Sequence, residues 1–229
     1  MAQPLFIFDV EGTLIDCVRQ TLICWHDAFA SCGYEFSFEK LHHHSGRDPD
    51  DMIRILLPKT EAERLAKPLK DAQGGFYRER FLEAVRPFPD VRALFEQVKR
   101  SGAVIALATT CSKDELHHYL GVAEISDLVD HCACGEDVSR EKPHPELIEL
   151  VLDRAKIPAA DAVMIGDTPY DAEAARRANV SAIGLLSGGF TQEELTAAGC
   201  GAVHAGTTAL LKAFDSLLDR DRSLGTPQT

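Results

Sequence analysis

The chain has 229 residues, of which 45% are hydrophobic, and its formal net charge is −12 at pH 7. An acidic chain with no basic run repels a nucleic-acid backbone, so we expect no nucleic-acid partner. No apolar run approaches the ~18 residues that cross a membrane and no signal peptide is evident, so we expect a cytoplasmic protein with no membrane partner. The seven cysteines are odd in number and lack the spacing of a secreted domain, which favours reduced thiols.

The first predicted element is a strand. The apolar run from Leu5 to Phe8 leads directly into Asp9, and Glu11 and Gly12 follow. A short apolar run that ends in acids and a glycine is typical of a buried parallel strand opening into a loop. Residues two apart in an extended segment point the same way, so we expect Asp9 and Glu11 to face one reacting centre.

Residues 17–86 carry helical patterns and no strand pattern. The predicted helices cover residues 16–32, 37–41, 50–57 and 60–85. The last of these is long and charged, and we predict a break or kink at Gly74 and Gly75.

From residue 90 onward, strand and helix patterns alternate. Strands are predicted over 103–108, 131–134, 160–165, 181–186 and 201–204, and helices over 90–101, 113–120, 145–156, 169–178, 191–198 and 207–218. This alternation predicts an α/β fold, a doubly wound, Rossmann-like parallel sheet core with an inserted α-helical cap. We assign residues 1–16 and 87–229 to the core and 17–86 to the cap domain, hinged near residues 16 and 87. The last ten residues are expected to fray.

Polar residues follow four of the predicted strands. They are Asp9 and Glu11 after the first, Thr109 and Thr110 after the second, Lys142 after the third, and Asp167 and Asp171 after the fourth. The carboxyl ends of parallel strands lie at one edge of a sheet, so we expect these residues to converge. Aspartate oxygens suit Mg²⁺. Thr109 with the N–H groups after it suits phosphate oxygens, and Lys142 suits a phosphate or a carboxylate.

This set of residues predicts phosphoryl chemistry. With Mg²⁺ and Lys142 screening its charge, Asp9 can attack phosphorus and form an acyl-phosphate. Glu11 can protonate the leaving alcohol and then deprotonate the water that cleaves the intermediate. Each motif alone has an ordinary structural explanation; residues 168–171, for example, are typical of a helix start. Their joint occurrence at four strand ends favours a catalytic site.

Four stretches resemble the four motifs of the haloacid dehalogenase (HAD) superfamily. They are Phe8-Asp9-Val10-Glu11-Gly12-Thr13-Leu14, Leu107-Ala108-Thr109-Thr110, Lys142-Pro143-His144-Pro145 and Gly166-Asp167-Thr168-Pro169-Tyr170-Asp171. The helical segment after the first motif resembles the C1 cap of the phosphoglycolate phosphatase and β-phosphoglucomutase-like branch. The resemblance implies a Mg²⁺-dependent hydrolase of phosphate monoesters with its nucleophile at Asp9. It also implies a metal held by Asp9, the backbone carbonyl of Glu11 and Asp167, with Asp171 as a ligand or a neighbour of the ligands.

Glu11 departs from the usual pattern, because most phosphatases of this family carry Asp at this place. Glu keeps the carboxylate but adds a methylene, which changes its reach to the leaving oxygen. The enolase-phosphatase branch carries Asp-x-Glu-Gly-Thr, so Glu is compatible with turnover. Two alternatives stay open: a phosphomutase of the β-phosphoglucomutase type, and a weakly active domain that mainly binds a phosphorylated ligand.

The predicted cap is expected to choose the substrate, a small phosphorylated metabolite. Arg47 lies on a loop that can face the site and clamp a second anionic group, the alternative being a solvated loop residue. His42, His43 and His44 are consecutive and point in different directions, which favours a surface cluster over a metal or substrate site. The sequence leaves open which metabolite is bound and whether the protein is a monomer or a homodimer.

Overall fold

The computed structural model describes residues 3–214 and contains a six-stranded, wholly parallel sheet. The strands within these residues are β1 Leu5–Phe8, β2 Ile15–Asp16, β3 Arg86–Pro87, β4 Val104–Ala108, β5 His131–Ala133, β6 Ala162–Gly166, β7 Ser181–Leu185 and β8 Cys200–His204. The large sheet has the order β5-β4-β1-β6-β7-β8, and β2 pairs with β3 alone. This confirms the predicted α/β fold with a Rossmann-like sheet.

The helices fill the connections between the strands. They are α1 Val18–Ser31, α2 Phe38–His42, α3 Pro49–Leu56, α4 Lys59–Arg80, α5 Val91–Arg100, α6 Lys113–Val122, α7 Glu146–Ala155, α8 Pro169–Arg177 and α9 Gln192–Ala198, with further helical residues at 207–214. Apart from the end of α4, the boundaries agree with the sequence prediction within two residues. The predicted helical residues 215–218 and the last ten residues lie outside the described part of the chain.

Both faces of the sheet are covered, as the strand β1 shows. Phe6 and Phe8 pack on one side, where the Phe8 and Phe95 rings are 4.8 Å apart between centroids. Leu5 and Ile7 alternate with them and pack on the other side with residues of α7 and α8. Burial on both faces explains why β1 is a continuous apolar run rather than an alternating one.

The position of β1 in the sheet fixes the place of the site. It lies between β4 and β6, with Phe8 in register with Leu107 on one side and Ile165 on the other. The strand order reverses at β1, and open parallel sheets bind ligands outside the carboxyl ends at such a point. The residues that follow β1, β4 and β6 therefore lie together at one edge.

The helices α1–α4, called here the helical insert, lie between β2 and β3. Ile15 is paired with Pro87 and Asp16 with Arg86 in the short antiparallel pair β2–β3. The chain therefore enters and leaves the insert side by side, close to the predicted boundaries at 16 and 87. The two strands themselves were not predicted, because two residues are too few to show a periodic pattern.

The helix α4 runs unbroken from Lys59 to Arg80, so the predicted break at Gly74 and Gly75 is wrong, and the alternative of a kink there stays a prediction. A glycine costs a helix about 1 kcal/mol relative to alanine, which is small beside the burial of large side chains. Leu65, Leu69 and Tyr77 are buried along one face of α4 and hold it in place. Tertiary packing thus overrides the local preference of the two glycines.

The helical insert has an apolar core of its own. Trp25 and Phe29 of α1 pack there with Leu65 and Leu69 of α4. Of the described residues, none forms a helix both long enough and apolar enough to cross a membrane.

Candidate active site

Three buried carboxylates meet at the edge of the sheet beyond β1 and β6. Asp9 follows β1 directly, Asp167 follows β6, and Asp171 lies in the first turn of α8. Each offers an oxygen within 4.8 Å of an oxygen of the other two. The sequence prediction that these residues converge is confirmed.

Lys142 is the cation of this cluster and is only 1% exposed. Its ammonium lies 2.5 Å from Asp9 Oδ1 and 2.7 Å from Asp171 Oδ1. Burial alone would lower the pKa of Lys142, but Asp171 and Asp9 outweigh it and raise this pKa. The loop after β5 therefore places a positively charged ammonium group next to Asp9.

The cluster holds more negative than positive charge, and the pKa values of two of its carboxyl groups are raised. Burial raises the pKa of Asp9 to about 6, against the lowering effect of Lys142. Burial and the charges of Asp9 and Asp171 raise the pKa of Asp167 well above its usual range. Three ionised carboxylates facing one ammonium leave about two charges uncompensated, which a divalent cation would balance.

Two glycines form a cradle around Asp167 that no larger residue would allow. A Cβ at Gly188 would lie 1.9 Å from Asp167 Oδ2, and a Cβ at Gly12 would lie 2.4 Å from the same oxygen. Gly12 also has a φ of +86°, a conformation that favours glycine. Thr13 donates a hydrogen bond to Asp167 Oδ1 at 2.6 Å. The carboxylate is thus held in one place with backbone close around it, and the all-oxygen donor set fits Mg²⁺.

Asp171 has two roles. Its Oδ2 accepts hydrogen bonds from Thr168 Oγ1 at 2.7 Å and from the Thr168 backbone N–H at 3.0 Å. This is the helix start that residues 168–171 predicted, with Thr168 as N-cap. The other oxygen of Asp171 pairs with Lys142. The structural interpretation of this motif as a helix start is confirmed, and the same residue also pairs with Lys142; its catalytic role stays a prediction.

Glu11 lies beside Asp9 and is half-buried. Its Oε1 accepts a hydrogen bond from the Tyr119 hydroxyl at 3.1 Å. Burial, with the charges of Glu115 and Asp9, raises the pKa of Glu11 to about 8. At neutral pH this carboxyl group holds a proton that it can donate, which is the state a general acid needs.

The two threonines after β4 differ in their surroundings. Thr109 is fully buried, and its hydroxyl bonds to the backbone N–H and the thiol of Cys111 at 3.3 Å each. Thr110 instead lines the cavity described next. The helix α6 begins immediately afterwards with Ser112 as N-cap. Of the two threonines, both predicted to bind phosphate, Thr110 lines the cavity and Thr109 does not.

A cavity of about 130 Å³ lies between the carboxylates and the helical insert. Asp9, Glu11 and Asp171 form part of its floor, and apolar side chains of the insert, among them Leu22 and Trp25, form much of its wall. The cavity is small, so it suits a compact ligand.

Arg47 and His44 bring the polar groups of the insert to this cavity. The Arg47 guanidinium lies 4.3 Å from the centre of the Tyr170 ring, so the alternative of a solvated loop residue is wrong. His44 is 9% exposed, and burial together with Arg47 lowers its pKa to about 4. Neither His44 Nδ1 nor Arg47 Nε has a hydrogen-bond partner among residues 3–214. Both are buried polar atoms of residues that line the cavity.

The prediction of a surface cluster for the three histidines is correct only for His43, which is exposed. His42 Nε2 lies 2.7 Å from the Gly188 carbonyl oxygen, and its ring stacks on Phe190. His44 lies in the cavity wall. The three side chains do point in different directions, as argued from the sequence. His42 packs against core residues and His44 lines the cavity, so only His43 points to solvent.

Sequence reasoning missed Tyr119, Tyr77, Thr13 and the two glycines of the cradle. Tyr119 lies more than a hundred residues from Glu11, and no local pattern joins them. Thr13 and Gly12 lie within the first motif, so the motif itself was the signal for both. Tyr77 and Gly188 carry no signal that separates them from core and turn residues.

Comparison with known proteins identifies relatives along most of the chain. The family model described as "Haloacid dehalogenase-like hydrolase" matches residues 6–185. The "Probable phosphatase IndB" of Dickeya dadantii is 31% identical over 210 residues, which cover 86% of each chain. The "Phosphoglycolate phosphatase" of Vibrio parahaemolyticus is 25% identical over 192 residues, 80% of this chain and 84% of that protein. A solved hydrolase from Pseudomonas syringae superposes with a TM-score of 0.83 and 27% identity, covering 94% of this chain and 99% of the other.

Proposed function

Because the chain belongs to the haloacid dehalogenase-like hydrolase family, we propose that it is a Mg²⁺-dependent phosphatase of a small phosphorylated metabolite, acting through an aspartyl-phosphate on Asp9. The observation that carries the proposal is the ion pair between Lys142 and Asp9 within a cluster of three buried carboxylates. A protein that only binds a phosphate would gain from cations and lose from a buried carboxylate at the same place. The retained Asp9 therefore argues for a nucleophile.

The first half of the proposed reaction is the transfer of the phosphoryl group to the enzyme. An oxygen of the Asp9 carboxylate attacks phosphorus and forms the acyl-phosphate bond, while the bond between phosphorus and the alcohol oxygen breaks. Glu11 donates its proton to that oxygen, so the product leaves as a neutral alcohol. Lys142 keeps Asp9 in place and lowers the repulsion between its charge and the phosphate.

The second half is hydrolysis of the acyl-phosphate. Glu11, now a carboxylate, takes a proton from a water molecule whose oxygen attacks phosphorus. The bond to Asp9 breaks, inorganic phosphate leaves, and both side chains return to their starting states. We propose that Mg²⁺ is held by Asp9, Asp167 and the backbone carbonyl of Glu11, with Asp171 beside them. When bound, it would supply positive charge to the phosphate oxygens.

The helical insert is proposed to act as a cap, with residues 17–86 as its extent. It supplies most of the cavity wall, including Arg47 and His44, while the core supplies the carboxylates. The side-by-side strands β2 and β3 are the two crossings about which it would move. The seven cysteines form no disulfide in the structure, so the proposed place of action is the reducing cytoplasm.

The test is phosphate release from a panel of small phosphate monoesters, with Mg²⁺ and with EDTA. We expect wild type to release phosphate only with Mg²⁺, and Asp9→Asn to lose nearly all turnover while remaining folded by circular dichroism. Asp153→Asn is the matched control, because Asp153 is an exposed aspartate paired with Lys156 far from the cluster. Full activity of Asp9→Asn would refute the proposed nucleophile.

The same assay separates the alternatives. A phosphomutase would convert a sugar phosphate into an isomer, so phosphorus NMR of the mixture would show a new ester and little inorganic phosphate. A weakly active binding domain would show saturable binding of a phosphorylated ligand without turnover by wild type.

A further inference from the structure

A chain of three buried hydrogen-bonding side chains ends at Glu11. Tyr119 OH lies 3.1 Å from Glu11 Oε1 and 2.8 Å from Tyr77 OH. Tyr77 OH is in turn hydrogen-bonded to the thiol of Cys17. Tyr119 is 1% exposed, Tyr77 2% and Cys17 0%, so these groups are shielded from bulk water.

The proton count allows two directions for this chain. A phenol has one proton to donate, and the Tyr119 hydroxyl has two acceptors within reach, Glu11 Oε1 and Tyr77 OH. When Glu11 is ionised, Tyr119 donates to Glu11 and accepts from Tyr77; when Glu11 carries a proton, Glu11 can donate to Tyr119, which then donates to Tyr77. Each buried hydroxyl has a partner on both sides, and buried polar groups with all partners present hold one another in a single arrangement.

The chain also joins the two parts of the molecule. Glu11 and Tyr119 belong to the sheet-and-helix core, the latter in α6, whereas Tyr77 lies in α4 of the helical insert. The Tyr77 hydroxyl thus reaches from the insert to Tyr119 of the core. A movement of the insert away from the core would therefore separate Tyr77 from Tyr119.

We propose that Tyr119 and Tyr77 are positioning residues that fix the orientation of the Glu11 carboxyl group, and that Tyr77 completes this arrangement only when the insert is closed. The inference rests on the proposed phosphatase function, in which Glu11 exchanges protons with the leaving oxygen and with water. Neither tyrosine touches the reacting atoms. Their role is to hold one oxygen of Glu11 so that the other is presented to the cavity.

The length of the Glu11 side chain is what brings its carboxyl group within reach of Tyr119. An aspartate at position 11 would be shorter by one carbon–carbon bond, about 1.5 Å. Its carboxylate would be withdrawn from Tyr119 OH to as much as about 4.6 Å, beyond the range of a hydrogen bond. The length of Glu11 and the two tyrosines therefore act together. We expect the tyrosines to affect turnover only while Glu occupies position 11.

The test is a double-mutant cycle on turnover. The variants are Tyr119→Phe, Glu11→Asp and the two together, with kcat and KM measured for the best phosphate monoester of the panel. We expect Tyr119→Phe to lower kcat about tenfold in the wild-type background, with KM within about twofold, and to change kcat by less than about twofold in the Glu11→Asp background. Tyr77→Phe should act in the same direction with a smaller loss, and should also be silent when Asp is at position 11.

Tyr34→Phe is the matched control, since Tyr34 lies in the insert and donates to Glu61 at 3.3 Å, away from Glu11. It should leave kcat unchanged. An equal loss of kcat from Tyr119→Phe in both backgrounds would mean a packing role and would overturn the inference while leaving the phosphatase function intact. A wild-type protein that hydrolyses no phosphate monoester would overturn the proposed function and this inference with it.

Discussion

The Asp48 carboxylate accepts a hydrogen bond from the backbone N–H of Glu141 at 2.8 Å. The backbone N–H of Asp48 donates to the carbonyl of Lys142 at 2.6 Å. Asp48 caps α3 of the helical insert, and Glu141 and Lys142 belong to the core loop that reaches the active site. This two-way contact fastens the insert to the residue that pairs with Asp9.

The side chain of Glu141, whose backbone makes this contact, makes the stability of the protein depend on pH. Burial and the Asp48 carboxylate raise the pKa of Glu141 to about 8 from an ordinary value of 4.5. The folded protein thus binds a proton that the unfolded chain releases above pH 4.5, so the free energy of unfolding falls as pH rises from about 5 to 8. We predict that the melting temperature of Glu141→Gln minus that of wild type increases over this window. A constant difference between pH 5 and 9 would contradict it.

Magnesium should stabilise the fold more strongly at high pH. The pKa of Asp9 is raised to about 6, so below this pH a cation must displace a proton, and its affinity falls. We predict a rise in melting temperature on adding Mg²⁺ at pH 8 that shrinks at pH 5.5, measured by thermal unfolding. At 100 times its dissociation constant the ion contributes about 2.7 kcal/mol.

The variant Asp167→Asn distinguishes the contribution of Asp167 to metal binding from its contribution to the stability of the metal-free protein. The amide oxygen can still accept from Thr13, but the variant loses a buried negative charge. We predict that in EDTA at pH 8 it melts at a higher temperature than wild type, because the pKa of Asp167 is raised and its ionisation costs stability there. It should show little of the Mg²⁺ shift and little turnover. An undiminished Mg²⁺ shift would exclude Asp167 as a ligand.

We expect Gly188→Ala to impair metal binding and turnover while the protein remains folded. The new Cβ would fall 1.9 Å from Asp167 Oδ2, so the carboxylate or the loop must move. We predict a loss of the Mg²⁺ shift and a fall in kcat of tenfold or more, on the order of one lost charged contact. Gly75→Ala is the control, because a Cβ there meets nothing within 4 Å; it should leave kcat unchanged and stabilise α4 by about 0.5–1 kcal/mol.

Glu11→Gln tests the proton transfer itself. The glutamine side chain still has an oxygen that accepts a hydrogen bond from Tyr119, and the backbone carbonyl proposed as a metal ligand is unchanged. The amide, however, cannot act as an acid toward the leaving alcohol oxygen. We predict a fall in kcat of roughly 10²–10⁴-fold, typical for a general acid and base, with the Mg²⁺ shift retained. Near wild-type turnover would show that another group does this work. Thermal unfolding of the same preparation shows whether the variant is folded.

Arg47→Lys should change the choice of substrate more than the rate. The guanidinium is stacked on Tyr170, and a lysine ammonium cannot reproduce this stacking or a forked contact with an anion. We predict that KM rises about tenfold for phosphate esters that carry a second anionic group and little for those that do not. Equal effects on both classes would refute a role for Arg47 in binding the second anion.

The sequence by itself determined the sheet, the order of its elements and the three aspartates with Lys142. These features are local or follow from topology, since an apolar strand, the residue after it and the parallel arrangement suffice to bring strand ends to one edge. The resemblance of four motifs added the chemistry. The break at Gly74 was mispredicted because local propensity was opposed by burial of the α4 face.

Only the tertiary structure decided what surrounds these residues. The partnership of Glu11 with Tyr119 and Tyr77, the seat of His44 in the cavity wall and the cradle that Gly188 forms around Asp167 all join residues far apart in the chain. Such contacts depend on how α4, α6 and the loop after β7 pack, and packing is a property of shape and volume that no single stretch of sequence contains.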